Sequence, residues 1–234
     1  MAAITLENVR KVYQLGETKV EALRGSDVSI EEGEFVAIMG PSGSGKSTLM
    51  NMIGALDIPT DGEVNIDGEE IGEMTEDELA LLRSRKIGFV FQEFNLINSM
   101  SAWQNVALPM VFRGKGKKER KERAVKILED VGLGDRIEHR PSELSGGQRQ
   151  RVSIARSLAN DPDILLADEP TGNLDTDTGG KIMGLLTDLK DRGKTIIMVT
   201  HDPNDAEYAD RTIQIIDGVT NPDKNVKQKE LEEK

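Results

Sequence analysis

Gly40-Pro41-Ser42-Gly43-Ser44-Gly45-Lys46-Ser47 has the spacing of a phosphate-cradling loop. The run before it, Phe35-Val36-Ala37-Ile38-Met39, is apolar and of strand length, and Thr48-Leu49-Met50-Asn51-Met52-Ile53 after it reads as helix. Strand, glycine-rich loop and helix in that order are what such a loop requires. Its glycines let backbone N–H groups converge on phosphate oxygens where a Cβ would obstruct the turn, and the helix N-terminus adds its partial positive charge. In this reading Lys46 reaches the β- and γ-phosphates and the Ser47 hydroxyl is placed for Mg²⁺. Gly40, Ser42, Gly43, Ser44, Gly45 and Thr48 complete the nucleotide-binding set.

A phosphate loop needs a carboxylate to hold its metal. Ile164-Leu165-Leu166-Ala167-Asp168-Glu169 supplies one at the end of a second buried-type strand. Ligands of a parallel α/β sheet bind beyond the carboxyl ends of its strands, so Asp168 can face Mg²⁺ beside the loop. Glu169 then projects toward the water that attacks the γ-phosphate.

Far downstream, Leu144-Ser145-Gly146-Gly147-Gln148 forms a second glycine-rich turn. Ser145 with Gln148 is a capping-box pattern, and Val152, Ala155 and Leu158 continue it as an amphipathic helix. Such an N-terminus binds phosphate as readily as the first loop does.

These motifs together resemble those of the ATP-binding cassette ATPases over about Ile4 to Gly218. The resemblance implies an α/β fold: a phosphate-loop NTPase core with a parallel sheet, a small antiparallel β subdomain and an inserted helical subdomain. It implies that Ser145, Gly147 and Gln148 press on the γ-phosphate of ATP held by another copy, in a head-to-tail homodimer around two MgATP. It assigns Glu169 as general base, and Ser47, Gln92 and Asp168 as the residues facing Mg²⁺. Gln92, after the strand-like run Ile87-Gly88-Phe89-Val90-Phe91, also touches the attacking water and relays to a membrane partner. His201, after Thr195 to Thr200, contacts the γ-phosphate and orients the catalytic carboxylate. Asp175, in Asn173-Leu174-Asp175, speaks across the dimer; on its residue type alone it is an N-cap. Tyr13 stacks on adenine. His139 has no motif around it and reads as surface loop.

Within that family, Phe94-Asn95-Leu96-Ile97, Trp103-Gln104-Asn105-Val106-Ala107-Leu108-Pro109, the basic Arg113 to Arg123 stretch and Thr171-Gly172-Asn173-Leu174-Asp175 look like the subgroup that powers lipoprotein-release and macrolide-export complexes. The implied protein is an ATP-hydrolysing subunit that drives integral membrane permease subunits. It is cytoplasmic, held at the inner face of the cell membrane through that partner. The alternative is a non-transport cassette protein acting as a switch or scaffold in a soluble or cell-division assembly. A tandem second cassette or long heptads would favour particular members of that class, and neither is present.

Composition agrees. A chain of 234 residues holds one α/β core with an insertion, and it carries a single phosphate loop, so pairing requires a second chain. A net charge of −12 repels nucleic-acid phosphates and argues against that class of partner. The Arg113 to Arg123 stretch continues into Ala124, Ile127, Leu128 and Val131 at helical spacing, so it reads as the solvated side of a core-facing helix. There is no cysteine, hence no disulfide or thiol chemistry. The start, Met1 to Glu7, lacks a signal-peptide pattern, and no apolar run reaches membrane-spanning length.

Ile4 to Val9, Val20 to Ile30 and Glu63 to Ile66 read as an antiparallel sheet, with core strands ending at Met39, Phe91, Ala167 and Val199 and a last one near Thr212 to Ile216. Thr75-x-x-Glu78 and Ser101-x-x-Gln104 are helix starts, the second carrying Trp103, Val106 and Met110. The helix from Asp175 stops at Gly193. We take residues 1–220 as the cassette, with its helical insertion at about 93–161. From Asp217 onward no strand is expected, and 221–234 reads as a polar tail. Phe94, Leu96, Ile97 and Met100 are apolar residues in a loop, expected either to form, with the start of the helix at Ala102, the groove for a membrane subunit's helix or to pack within the helical insertion.

Overall fold

Apolar runs without alternation make the central strands, because both of their faces are covered. In the computed structural model, which describes residues 1–224, these are β3 (Phe35–Met39), β6 (Ile87–Val90), β7 (Ile164–Asp168), β8 (Thr195–Val199) and β9 (Arg211–Ile216). They are parallel neighbours in the order β9-β3-β8-β7-β6. Successive side chains point to opposite faces. Val36, Ile38, Leu166, Ile197 and Val199 therefore enter one core cluster, and Phe35, Ala37, Leu165, Ile196 and Met198 enter another.

The first cluster is closed by an antiparallel sheet in the order β2-β1-β4-β5. Its strands are β1 (Ala2–Leu15), β2 (Thr18–Glu31), β4 (Asp61–Ile66) and the short β5 (Glu69–Glu70). Ile4 pairs with Ile30 on one side and Ile66 on the other, and all three are buried. Helices α1 (Lys46–Ile53) and α2 (Glu76–Lys86) complete this layer through Leu49, Met52, Ile53, Leu79 and Leu82.

The second cluster packs against the apolar stripe of α6 (Thr176–Asp191), with Ile182, Met183, Leu186 and Leu189 buried. A third cluster holds the helical insertion together: α3 (Ala102–Phe112), α4 (Lys117–Asp130) and α5 (Gly146–Ser157). Trp103, Val106, Met110, Ala124, Ile127, Leu128 and Val131 meet there. Val152 and Ala155 of α5 face this insertion while Ile154 faces the sheet, so α5 joins the two bodies. The capping box expected at Thr75 is formed, and at Ser101 half of it is, the backbone N–H donating to Gln104 Oε1 at 2.8 Å. A short helix, α7 (Pro203–Ala206), follows β8. Among the described residues no helix is long and apolar enough to cross a membrane.

One expectation fails. The chain past Gly218 forms β10 (Val219–Lys224), antiparallel to β9, with Val219 opposite Ile216. Asp217 and Gly218 both have positive φ, 50° and 79°, which makes the two-residue turn whose twist matches a hairpin. Asp-Gly was therefore the signal for a strand pair, and its polar flank hid it. The ladder has a register shift between Asn221 and Lys224, spanning Pro222, which has no N–H to donate. The tail beyond, 225–234, lies outside the described residues.

Candidate active site

The phosphate loop joins β3 to α1 at the carboxyl edge of the parallel sheet. Close approach explains two of its glycines. A Cβ on Gly40 would lie 2.2 Å from the Ile215 carbonyl, and one on Gly45 would lie 2.7 Å from the Ala22 carbonyl. Gly45 also has φ 105°, which an L side chain resists. Gly40→Ala should push the loop off β9 and cost about 1–3 kcal/mol of stability; a thermal midpoint equal to wild type would contradict the close packing.

The loop's polar groups suit an anion. Helix α1 starts at Gly45 with no side-chain cap and no acid in its first turn, so its leading N–H groups are available to a ligand. The Ser44 hydroxyl is buried and has no protein partner. The Lys46 ammonium donates to the Gly40 and Pro41 carbonyls, both at 2.8 Å. An open groove of about 360 Å³ runs beside Gly43, Gly45, Lys46, Ser47 and Thr48.

The end of β7 brings two acids to this loop. Burial pushes the Asp168 carboxyl up, Glu169 beside it adds to the rise, and the Lys46 ammonium opposes it. A cation facing Asp168 is therefore favoured. Glu169 is set by its backbone: φ is 46°, its N–H donates to the Val199 carbonyl at 2.9 Å, and its own carbonyl accepts from Gly172 at 3.1 Å. Its carboxylate lies 2.6 and 2.8 Å from His201 Nδ1. That hydrogen bond and charge hold the His201 imidazolium above its ordinary range. A carboxylate oriented by a histidine at the end of a strand can take a proton from water.

Gln92 follows β6 and reaches the loop after β7. Its backbone carbonyl accepts from Asn173 Nδ2 at 3.0 Å, and its side-chain amide lies where a Cβ on Gly172 would be only 2.8 Å away. No group of three or more His, Cys, Asp or Glu among the described residues forms a metal cage. Mg²⁺ needs none, since it is commonly held by one or two carboxylates, water and substrate phosphates. Ser47, Gln92 and Asp168 are oxygen donors of the right kind.

Two other expected residues sit together, at a different corner. Ser145 caps α5, with its N–H donating to Gln148 Oε1 at 2.9 Å and its hydroxyl accepting from the Gln148 N–H at 3.3 Å. Asp175 caps α6 by accepting from Thr178. The turns abut, since a Cβ on Gly147 would lie 2.3 Å from Thr178 Cγ2. Among the described residues no hydrogen bond joins Ser145 to Gln148 with the phosphate loop of the same chain.

Tyr13 is half-buried. Its hydroxyl donates to Asp57 at 3.0 Å, and the Lys11 ammonium sits 5.1 Å from its ring centroid, covering one face. Burial and Asp57 raise the hydroxyl's pKa. His139 is half-buried in a loop whose carbonyl accepts from the Ala102 N–H, so it is a structural loop residue.

Gln150 and Arg156 of α5 are absent from the sequence reading. Gln150 is fully buried, and its amide donates to the Pro170 carbonyl at 2.6 Å and the Phe91 carbonyl at 3.4 Å, next to Glu169 and Gln92 respectively. A polar residue one turn before the buried Ile154 was the available signal. Arg156 donates to the Phe94 and Asn95 carbonyls, whose residues are both left-handed at φ 57° and 50°. No local pattern announces that grip.

Comparison with known proteins fits this geometry. The ABC transporter family model matches residues 23–172. The chain belongs to the ABC transporter ATP-binding family. An ABC transporter ATP-binding protein of Thermotoga maritima is 56% identical over 213 residues, covering 91% of each chain. The macrolide export ATP-binding/permease protein MacB of Bdellovibrio bacteriovorus is 50% identical over 95% of this chain and 34% of that protein. Among solved structures, the ATP-binding cassette MJ0796, in a dimeric post-hydrolysis state bound to ADP and Pi, has a TM-score of 0.86 at 49% identity. The match covers 95% of this chain and 98% of that one. This cassette is accordingly an ABC ATPase with the mixed α/β architecture of its family.

Proposed function

We propose that this ABC ATPase pairs head to tail with a second copy around two MgATP and drives integral membrane permease subunits. The observation carrying this reading is the Glu169–His201 pair beside an acid-lined phosphate loop, with no hydrogen bond, among the described residues, from the Ser145 turn to that loop. Glu169 accepts the proton of the attacking water. His201 keeps that carboxylate oriented. Lys46 and the loop N–H groups from Gly40 to Ser47 neutralise phosphoryl charge, and Thr48 extends the same helix turn. Ser47, Gln92 and Asp168 would hold Mg²⁺, which when bound neutralises charge on the phosphate oxygens. Ser145, Gly147 and Gln148 complete the partner copy's site, with Asp175 beside them at the interface. Tyr13 stacks on adenine with the ring face that Lys11 leaves open.

Of the loop expected to meet a membrane subunit, Leu96 is folded in while Ile97 stays exposed. The left-handed Phe94 and Asn95 turn the chain back, and buried Asn105 pins it through Ile97 and Met100. Leu96 consequently packs against the helical cluster. Next to that loop an apolar groove of about 540 Å³ lies between Leu56, Phe89, Phe91, Pro109 and Phe112, with Asn95 among its lining. Phe112 is 82% exposed. An exposed aromatic beside such a groove fits a short helix of a permease, as an anchor does at other interfaces. Leu56→Glu with Phe112→Glu should leave the isolated subunit's ATPase near wild type while permease-stimulated hydrolysis falls by about tenfold or more. Full stimulation of that double variant would move the contact elsewhere. Purification of the native protein tests the whole reading: recovery with a polytopic membrane protein supports it, and recovery with soluble proteins alone supports the switch or scaffold alternative.

A further inference from the structure

Among the described residues, two side-chain bridges join the loop after β7 to the segment from β8 through α7. The first is Glu169–His201. In the second, the Thr171 hydroxyl donates to the Asp205 carboxylate. Thr171 lies two residues past Glu169, and Asp205 lies four residues past His201 on α7.

Asp205 is only 8% exposed. A buried carboxylate is rare unless something binds it, because dehydration is costly. Burial pushes its pKa up, the negative Asp202 and Glu169 add to the rise, and the Thr171 hydroxyl and His201 oppose it. Its side-chain bond runs to Thr171, within the turn that shapes Glu169. That turn is closed by the Gly172 N–H on the Glu169 carbonyl at 3.1 Å, and it holds Glu169 at φ 46°. A non-glycine residue stays in the left-handed region only where its surroundings over-determine it.

We propose that Asp205, acting through Thr171, is a positioning residue that holds the Glu169 turn so that the Glu169 carboxylate stays on His201. This rests on the reading of Glu169 as general base. Asp205 touches no reacting atom; it limits the wandering of one that does. Small displacements of an oriented base cost much of its rate.

The test is steady-state hydrolysis of MgATP by the full chain, paired with an NMR titration of His201. Thr171→Val removes the hydroxyl at nearly constant volume. It should lower kcat roughly tenfold with KM for ATP within about twofold, the pattern of a loss confined to the transition state. It should also shift the His201 titration toward its ordinary range, because the carboxylate that raises it is released. Thr171→Ser and Asp205→Asn each keep one side of the bond and should restore both readouts, whereas Asp205→Ala should not. Wild-type kcat and an unmoved His201 titration in folded Thr171→Val would overturn the proposal, as would equal loss in Thr171→Ser. If Asp205→Ala does not fold, the two Thr171 variants decide. Should Glu169→Gln remain active, the underlying reading fails instead; an inactive Glu169→Gln beside an unaffected Thr171→Val sinks this inference alone.

Discussion

Glu169→Gln should slow ATP turnover by on the order of a hundredfold or more while ATP binding is retained. The amide keeps the shape of the carboxylate and its place on the left-handed turn, but it takes no proton from water. Blocked hydrolysis should let ATP accumulate the closed dimer, since a ligand bound only by the paired state shifts the equilibrium toward it. Size-exclusion chromatography with MgATP reads this directly. The same variant removes the carboxylate that contributes most to raising His201, so its imidazole should titrate lower than in the wild type. Wild-type turnover in Glu169→Gln would show that another group accepts the proton.

Lys46→Ala and Ser145→Arg should each abolish turnover in homodimers, and mixing the two should bring part of it back. In a mixed dimer both lesions fall at one composite site and the other site has an intact Lys46 and an intact Ser145. Random pairing of equal amounts in a two-fold dimer leaves about a quarter of all sites intact, which sets the scale of recovery. Were Ser145 to act on its own chain's loop, every site of the mixed dimer would carry one lesion. No recovery in samples shown to contain mixed dimers would therefore count against sharing, or mean that both sites must fire together.

Much of the nucleotide machinery was legible from residues because local physics dictates it. Gly40 to Ser47 between an apolar run and a helix admits few conformations, and Ser145 with Gln148 closes a cap without help from the rest of the chain. The apolar runs ending at Met39, Asp168 and Val199 lack alternation, which suits strands covered on both faces and thus a parallel sheet. Asp217-Gly218 carried an equally local signal, read past because polar residues follow it.

Other features have no local cause. Asp205 is buried only because α7 folds over the Thr171 turn, 34 residues away in sequence. Gln150 reaches the carbonyls beside Glu169 and Gln92 only because α5 lies between the insertion and the sheet. Leu96 turns inward because two left-handed residues, gripped by Arg156, reverse the loop. Sequence could name the candidate phosphate-binding groups, since glycines, caps and strand ends act over a few residues. Which side chains hold those groups in place, and where the apolar groove opens, depended on contacts between elements distant along the chain, whose register no short stretch encodes.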